Sequence, residues 1–362
     1  MRVFHIISGF ENGGVEALLY ALISHMPRDI EFHIVAHEVR VPECAARFEG
    51  LGVTVHIVPR RKKIIKHIRA LRELFCRYRP DAVHVHTTEW GAIALAAAKK
   101  CGVSCRIQHT HAARREKNPL RRLWHQYLFW RARRIATDLF ACGEAAAKLS
   151  FGTAALKEGR VTILKNGIDL AAFAFRGELR RTTRAALGVD EKTTLIGMVA
   201  RFSPQKNHMA ALSIFEAYRR VDPTAVLLLI GDGHLRPSIE TLVRLMFPSG
   251  AVRFLGVRGD LPALYAAMDR FILPSRFEGL PLTLIEAQTA GLVCVVSDTI
   301  TREVDFSGLV TFADNHDVAA WVAALRAADQ GPRQSREAEA AACGYRLRDA
   351  AAALHSFYGS LK

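Results

Sequence analysis

Short β-type runs recur along the chain, and between them lie longer stretches in which apolar positions return at helical spacing. The runs Val3–Ile7, Glu31–Ala36, Ala82–His86, Cys105–His109, Val161–Leu164, Thr194–Ala200, Ala225–Ile230, Val252–Leu255, Arg270–Leu273 and Val293–Ser297 read as strands. Helical patterns cover segments such as 14–26, 61–79, 90–101, 207–221, 234–246, 260–268, 281–291 and 316–328. This alternation predicts parallel sheets covered by helices on both faces, with helical stretches long enough to supply the crossovers. The expected class is α/β, with two Rossmann-like domains whose parallel sheets face a central cleft. A ligand is expected in that cleft, at the carboxyl ends of the strands.

A chain of 362 residues suits two domains and excludes a small disulfide scaffold. Lys165-Asn166-Gly167-Ile168-Asp169 fits a boundary, since Asn-Gly marks a turn and the charge balance changes there. The expected division is an N-terminal domain over 1–165, a second over 166–334, and an Ala-rich helical segment over 335–362 that packs back on the first. Half of the residues are hydrophobic and 23% charged, which excludes a disordered or collagen-like chain. The first apolar run is too short for a signal peptide, and no segment approaches the ~18 apolar residues of a membrane span. A cytoplasmic chain is expected. Cys44, Cys76, Cys101, Cys105, Cys142, Cys294 and Cys343 are scattered and odd in number, and read as free thiols in a reducing compartment.

The net charge of +15 is lopsided. Residues 1–165 hold 28 basic and 14 acidic residues, whereas 166–362 hold 22 and 21. Residues 60–79 form a basic helix with apolar positions at 64, 68, 71, 75 and 78. Residues 114–134 interleave Arg121, Arg122, Arg131, Arg133 and Arg134 with Trp124, Tyr127, Phe129 and Trp130. Cations beside aromatics suit an anionic membrane surface, while a solvated helix face and ordinary core aromatics are the plainer alternatives. Nucleic acid also explains basic charge, but no nucleic-acid motif accompanies it.

Five segments carry candidate chemistry. Gly13 and Gly14 lie between the first strand and first helix, where free N–H groups face an anion or form a plain tight turn. Arg201 and Lys206 follow the strand ending at Val199; a fork-shaped guanidinium and a compact ammonium suit a departing diphosphate. In Glu278-Gly279-Leu280-Pro281, Gly279 allows close backbone approach and Pro281 opens a helix that carries Glu286. Glu278 and Glu286 thus reach different parts of one extended polar ligand, although Glu286 alone also reads as a buried structural carboxylate. His84-Val85-His86 and His109-Thr110-His111 end two strands and point toward the expected cleft. Their spacing mimics a metal site, but no Asp or Glu stands beside either pair. There is no Asp-x-Asp either, so no metal is expected on the diphosphate.

Together these segments resemble the retaining glycosyltransferases of family 4, which have the two-domain GT-B fold. The resemblance rests on Gly13-Gly14, Asn166-Gly167-Ile168-Asp169, Arg201 with Gln205-Lys206-Asn207, Gly231-Asp232-Gly233, Pro274-Ser275 and the spacing of Glu278 and Glu286. The region from Glu278 through Val304 is similar to the branch that builds capsular and exopolysaccharides. The resemblance implies that Arg201 and Lys206 hold the diphosphate, aided by backbone at Gly14. It implies that Glu278, Gly279 and Leu280 grip the donor sugar, that Glu286 binds the ribose, and that Arg258 borders the base. His111 would contact the reacting sugar, with His109 as fallback and His86 beside them on the acceptor side. Ala200 departs from the Gly found there in many relatives. The implied reaction is transfer of a hexose from a nucleotide diphosphate sugar, by default a UDP-sugar, with retention and without metal or other cofactor. The implied acceptor is a glycan or polyprenyl-linked hydroxyl, met peripherally at the inner membrane face. A nucleotide-sugar epimerase of the same fold and a basic nucleic-acid-binding protein are the rival readings.

Overall fold

The apolar runs assemble into two all-parallel sheets, of seven and six strands. This computed structural model describes residues 1–11, 13–87, 91–111, 118–327 and 332–361. Asn12 of the glycine loop, residues 114–117 of the second basic stretch, and the predicted helix ends at 90 and 328 lie outside the described residues. Two compact units divide the chain: Met1–Gly167 with Arg346–Lys362, and Ile168–Tyr345.

In the first unit the strands are β1 (Arg2–Ile6), β2 (Glu31–Ala36), β3 (Thr54–Ile57), β4 (Ala82–Val85), β5 (Cys105–Thr110), β6 (Asp138–Ala141) and β7 (Val161–Ile163). Their order is β3-β2-β1-β4-β5-β6-β7. Between them run α1 (Gly14–Ser24), α2 (Pro42–Glu49), α3 (Ile64–Tyr78), α4 (Gly91–Lys100), α5 (Pro119–Ile135), α6 (Glu144–Phe151) and α7 (Thr153–Lys157). In the second unit β8 (Leu195–Val199), β9 (Val226–Ile230), β10 (Val252–Gly256), β11 (Arg270–Leu273), β12 (Val293–Ser297) and β13 (Val310–Ala313) follow the order β10-β9-β8-β11-β12-β13. Its helices are α8 (Leu170–Phe173), α9 (Gly177–Ala186), α10 (His208–Arg219), α11 (Arg236–Met246), α12 (Leu261–Ala267), α13 (Leu282–Thr289), α14 (Val318–Ala327) and α15 (Glu337–Ala342). The last helix, α16 (Leu347–Gly359), belongs to the first unit.

Alternation along the strands decides which helices each face receives. Val3 and Ile7, with Ile34 and Ile107, pack against Leu18, Leu19 and Leu22 of α1, Phe48 of α2, and Leu354 and Tyr358 of α16. Phe4, Ile6, Val83 and Val85 pack on the other face against Leu71 and Phe75 of α3 and Leu95 of α4. In the second unit β9 is buried at every residue, as its unbroken Val-Leu-Leu-Leu-Ile requires.

The structure differs from the sequence expectations in four places. β3, β6 and β13 were not among the expected strands; each has only four residues, and β3 and β13 are half-exposed edges with weak apolar signals. The segment 335–362 does not act as one piece, because α15 lies in the second unit and α16 in the first. Residues 119–135, read only as charge and aromatics, form a continuous helix. The cysteines are not all free: α3 and α4 pack side by side and bring Cys76 and Cys101 to a Cα separation of 5.3 Å, where they form a disulfide. Among the described residues, no helix is long and apolar enough to cross a membrane.

Candidate active site

In the second unit, the turn after β9 shapes the loop after β8. Ala200 and Phe202 donate their N–H groups to Ile230 and Asp232 carbonyls, both at 2.9 Å. Gly231 and Gly233 have φ of 131° and 155°, and a Cβ on them would lie 2.3 Å from the Ala200 oxygen and 2.5 Å from the Phe202 oxygen. Only glycine permits that backbone and that approach. Ala200 and Phe202 are thereby pinned inward, and the intervening Arg201 is left exposed at the strand's carboxyl end. Asn207, at φ 56°, then turns the chain into α10.

The 205–206 loop is tied to the 276–278 loop. Gln205 accepts the Arg276 N–H at 2.8 Å through its carbonyl, and its side-chain amide donates to the Phe277 carbonyl at 3.0 Å and to Glu278 at 3.3 Å. Lys206 Nζ lies 2.6 Å from Glu278 Oε1, an ion pair whose carboxylate is only 6% exposed. The two charges expected to meet diphosphate and sugar therefore form one preorganised pair. Leu280 is buried behind Gly279. Pro281 caps α13 one residue before its first helical position, Leu282.

Glu286 lies in the second turn of α13, where its Oε2 accepts from the Tyr265 hydroxyl at 2.8 Å. Burial pushes this carboxyl up to about 7, partly opposed by the tyrosine hydrogen bond, and pushes the Tyr265 hydroxyl well above 10. Tyr265 had no signal in the sequence beyond that of an ordinary core residue, and Gln205 stood there only as part of the family pattern, with no role; only the packing of α12 on α13 and of loop on loop exposes what they do. Arg258, past the end of β10, is half-exposed and held by Asp260 through two contacts of 2.8 and 2.6 Å.

In the first unit the glycine loop differs from expectation. Glu16 is buried, and its carboxylate accepts the N–H groups of Glu11 at 2.7 Å and Gly13 at 2.8 Å. The Gly13 N–H is thus not free for an external anion, because a helix N-terminus attracts the chain's own carboxylate first. Gly14 remains exposed, with nothing within 4 Å of the position a Cβ would take. His84, His86 and His109 are buried at 0%, 6% and 1% exposure, and His111, just beyond β5, is partly exposed. The histidines that the sequence reading pointed toward a cleft are mostly buried, because strand alternation turns them to the face that α16 covers.

Two doubly covered parallel sheets with these strand orders define the GT-B class of fold. The family description Glycosyltransferase Family 4 matches residues 12–172, and Glycosyl transferases group 1 matches residues 180–342. EpsF of Bacillus subtilis (strain 168), named as a glycosyltransferase, is 34% identical over 93% of this chain and 90% of its own length. The chain belongs to glycosyltransferase family 4. The UDP-Gal:alpha-D-GlcNAc-diphosphoundecaprenol alpha-1,3-galactosyltransferase of Escherichia coli is 29% identical over 65% of this chain and 62% of its own. Among solved structures, Anabaena HepE in complex with UDP-glucose shares the fold with a TM-score of 0.73 at 17% identity, covering 100% of this chain and 97% of that one. Membership in this family displaces the epimerase and nucleic-acid readings.

Proposed function

We propose that the protein transfers a hexose from a UDP-sugar to a hydroxyl of a glycan or lipid-linked acceptor, with retention of anomeric configuration, in cell-surface polysaccharide synthesis. The observation that carries the reading is the Lys206–Glu278 pair beside exposed Arg201, at the carboxyl ends of the second sheet. In the reaction the acceptor oxygen bonds to the anomeric carbon, the bond from that carbon to the diphosphate breaks, and the acceptor proton passes to the leaving phosphate. Arg201 and Lys206 stabilise the negative charge that grows on the diphosphate, which replaces the need for a metal there. Glu278, with the backbone of Gly279 and Leu280, orients the sugar. Glu286, held by Tyr265, accepts hydrogen bonds from the ribose hydroxyls, and Arg258 borders the base. The named substrate of the Escherichia coli relative supports uridine as the base and a diphosphoundecaprenol-linked sugar as the acceptor class.

A lipid-linked acceptor is met at a membrane surface, and one helix has the chemistry to attach there. On α5, Leu120, Leu123, Trp124, Tyr127 and Trp130 are exposed and recur at helical spacing. Arg131 and Arg134 lie over Tyr127 and Trp130, and the helix carries no Asp or Glu. Apolar rings flanked only by cations match an anionic lipid surface at the inner face of the membrane.

The test is calorimetry of the full chain with UDP, GDP and ADP in EDTA, followed by transfer assays with UDP-sugars and a polyprenyl-diphosphate-linked sugar. Binding of UDP that survives EDTA, with turnover lowered at least about tenfold in Lys206→Ala, is expected. Turnover unchanged in that variant, or dependent on added divalent metal, would remove the assignment.

A further inference from the structure

Five imidazoles gather on one face of the first sheet: His5 on β1, His84 and His86 at β4, and His109 and His111 at β5. They form two hydrogen-bonded chains. In one, the Tyr358 hydroxyl meets His84 Nδ1 at 2.6 Å, and His84 Nε2 meets His109 Nδ1 at 3.1 Å. In the other, His5 Nδ1 meets His86 Nε2 at 2.9 Å, and His86 Nδ1 meets His111 Nε2 at 2.8 Å. Both chains end unsatisfied: His109 Nε2 and His111 Nδ1 are buried without a hydrogen-bond partner, as is Oδ1 of Asn166, the residue that interacts with His111. Buried polar atoms without partners are uncommon in folded proteins and call for a ligand or a rearrangement.

We propose that His86 Nδ1, His109 Nε2 and His111 Nε2 form a three-imidazole site for a d-block dication of the zinc type, with a fourth position open to water. One nitrogen from each of these residues lies within 4.8 Å of the others. At Zn–N bonds of about 2.0–2.1 Å, tetrahedral ligand nitrogens stand about 3.3 Å apart, so the His86–His111 contact must open by about half an ångström. Imidazole without carboxylate favours zinc, cobalt, nickel or copper over magnesium and calcium. The expectation of no metal rested on the missing carboxylate, and a third histidine brought alongside by the sheet removes that objection.

Proton placement is consistent for the three ligands and leaves the His5 Nε2–H as the one ring atom of the five still without a partner. With His109 Nε2 bound to the cation, its Nδ1–H donates to His84 Nε2, and the His84 Nδ1–H donates to the Tyr358 oxygen. With His86 Nδ1 bound, its Nε2–H donates to His5 Nδ1. With His111 Nε2 bound, its Nδ1–H turns to the unsatisfied Asn166 Oδ1. Every ligand then has its outer nitrogen held, as metal-binding histidines do. All five rings stay neutral, and burial already pushes their pKa values below the ordinary range of histidine. The site lies wholly in the first unit and goes beyond the diphosphate chemistry proposed for the second, so its failure leaves that reading standing.

The experiment uses the full chain without a histidine tag, stripped by chelator and titrated with Co2+ and then Zn2+. Saturation at one equivalent is expected, with the intense visible bands of a four-coordinate cobalt site that Zn2+ displaces. His109→Gln should abolish the bands, and Asn166→Ala or Tyr358→Phe should weaken Zn2+ binding about 10- to 100-fold. Circular dichroism checks that each variant folds, and His111→Gln replaces His109→Gln if the latter does not. Uptake by the wild-type chain that is weak or not stoichiometric overturns the proposal. So do bands that survive in the folded His109 or His111 variant, which would assign them to exposed histidines such as His25.

Discussion

A carboxyl that titrates near neutrality makes its own pH dependence, and Glu286 is the residue to test. Its folded value of about 7 lies above the ordinary 4.5, so between these values the folded chain holds a proton that the unfolded chain has released. Stability therefore falls as pH rises through that window. Glu286→Gln should flatten this fall and melt higher than wild type above pH 7, as read by thermal unfolding across pH. The same variant should bind UDP more weakly at pH 8, since the ionised carboxylate accepts the ribose hydroxyls; equal affinity would remove Glu286 from the donor site. In the sequence Glu286 was legible through its spacing from Glu278. Its partner Tyr265 was not, because a tyrosine 21 positions earlier gains meaning only when α12 packs on α13.

Between strand and helix, the turn Gly231-Asp232-Gly233 shows what an element junction demands. Gly233→Ala would put a Cβ against the Phe202 oxygen at a φ that L residues avoid, and should cost more than about 1 kcal/mol in chemical denaturation. Displacement of Arg201 should lower turnover as well. At α5 the element acts through one face. Trp124→Ala combined with Trp130→Ala should leave turnover on a water-soluble acceptor intact while reducing binding to vesicles rich in anionic lipid at least about tenfold, measured by co-sedimentation. Unchanged sedimentation would leave the exposed rings without that role. Most helices were legible because each holds its period over several turns, and the central strands because they are unbroken apolar runs, whereas α5 was hidden by the exposed aromatics and cations along it. β3 and β13 were missed because half-exposed edge strands carry weak apolar signals, whereas β4 and β11, equally short but more buried, were legible.

For the whole molecule, the return of α16 to the first unit makes the chain's end part of its beginning. Leu347, Ala351, Leu354 and Tyr358 close the core beneath α1, so removing 346–362 should lower the melting of the first unit and spare the second. Calorimetry should then show one transition displaced and one retained; two unchanged transitions would contradict the packing. The sequence by itself determined the α/β class, the family and the segments that bear Arg201, Lys206, Glu278 and Glu286, since periodicity and short motifs are local properties. Tertiary structure alone decided that Lys206 pairs with Glu278, that Glu16 claims the Gly13 N–H, that Cys76 reaches Cys101, and that five histidines share one face. Such contacts join residues far apart in the chain, and their geometry exists only once sheets and helices have packed.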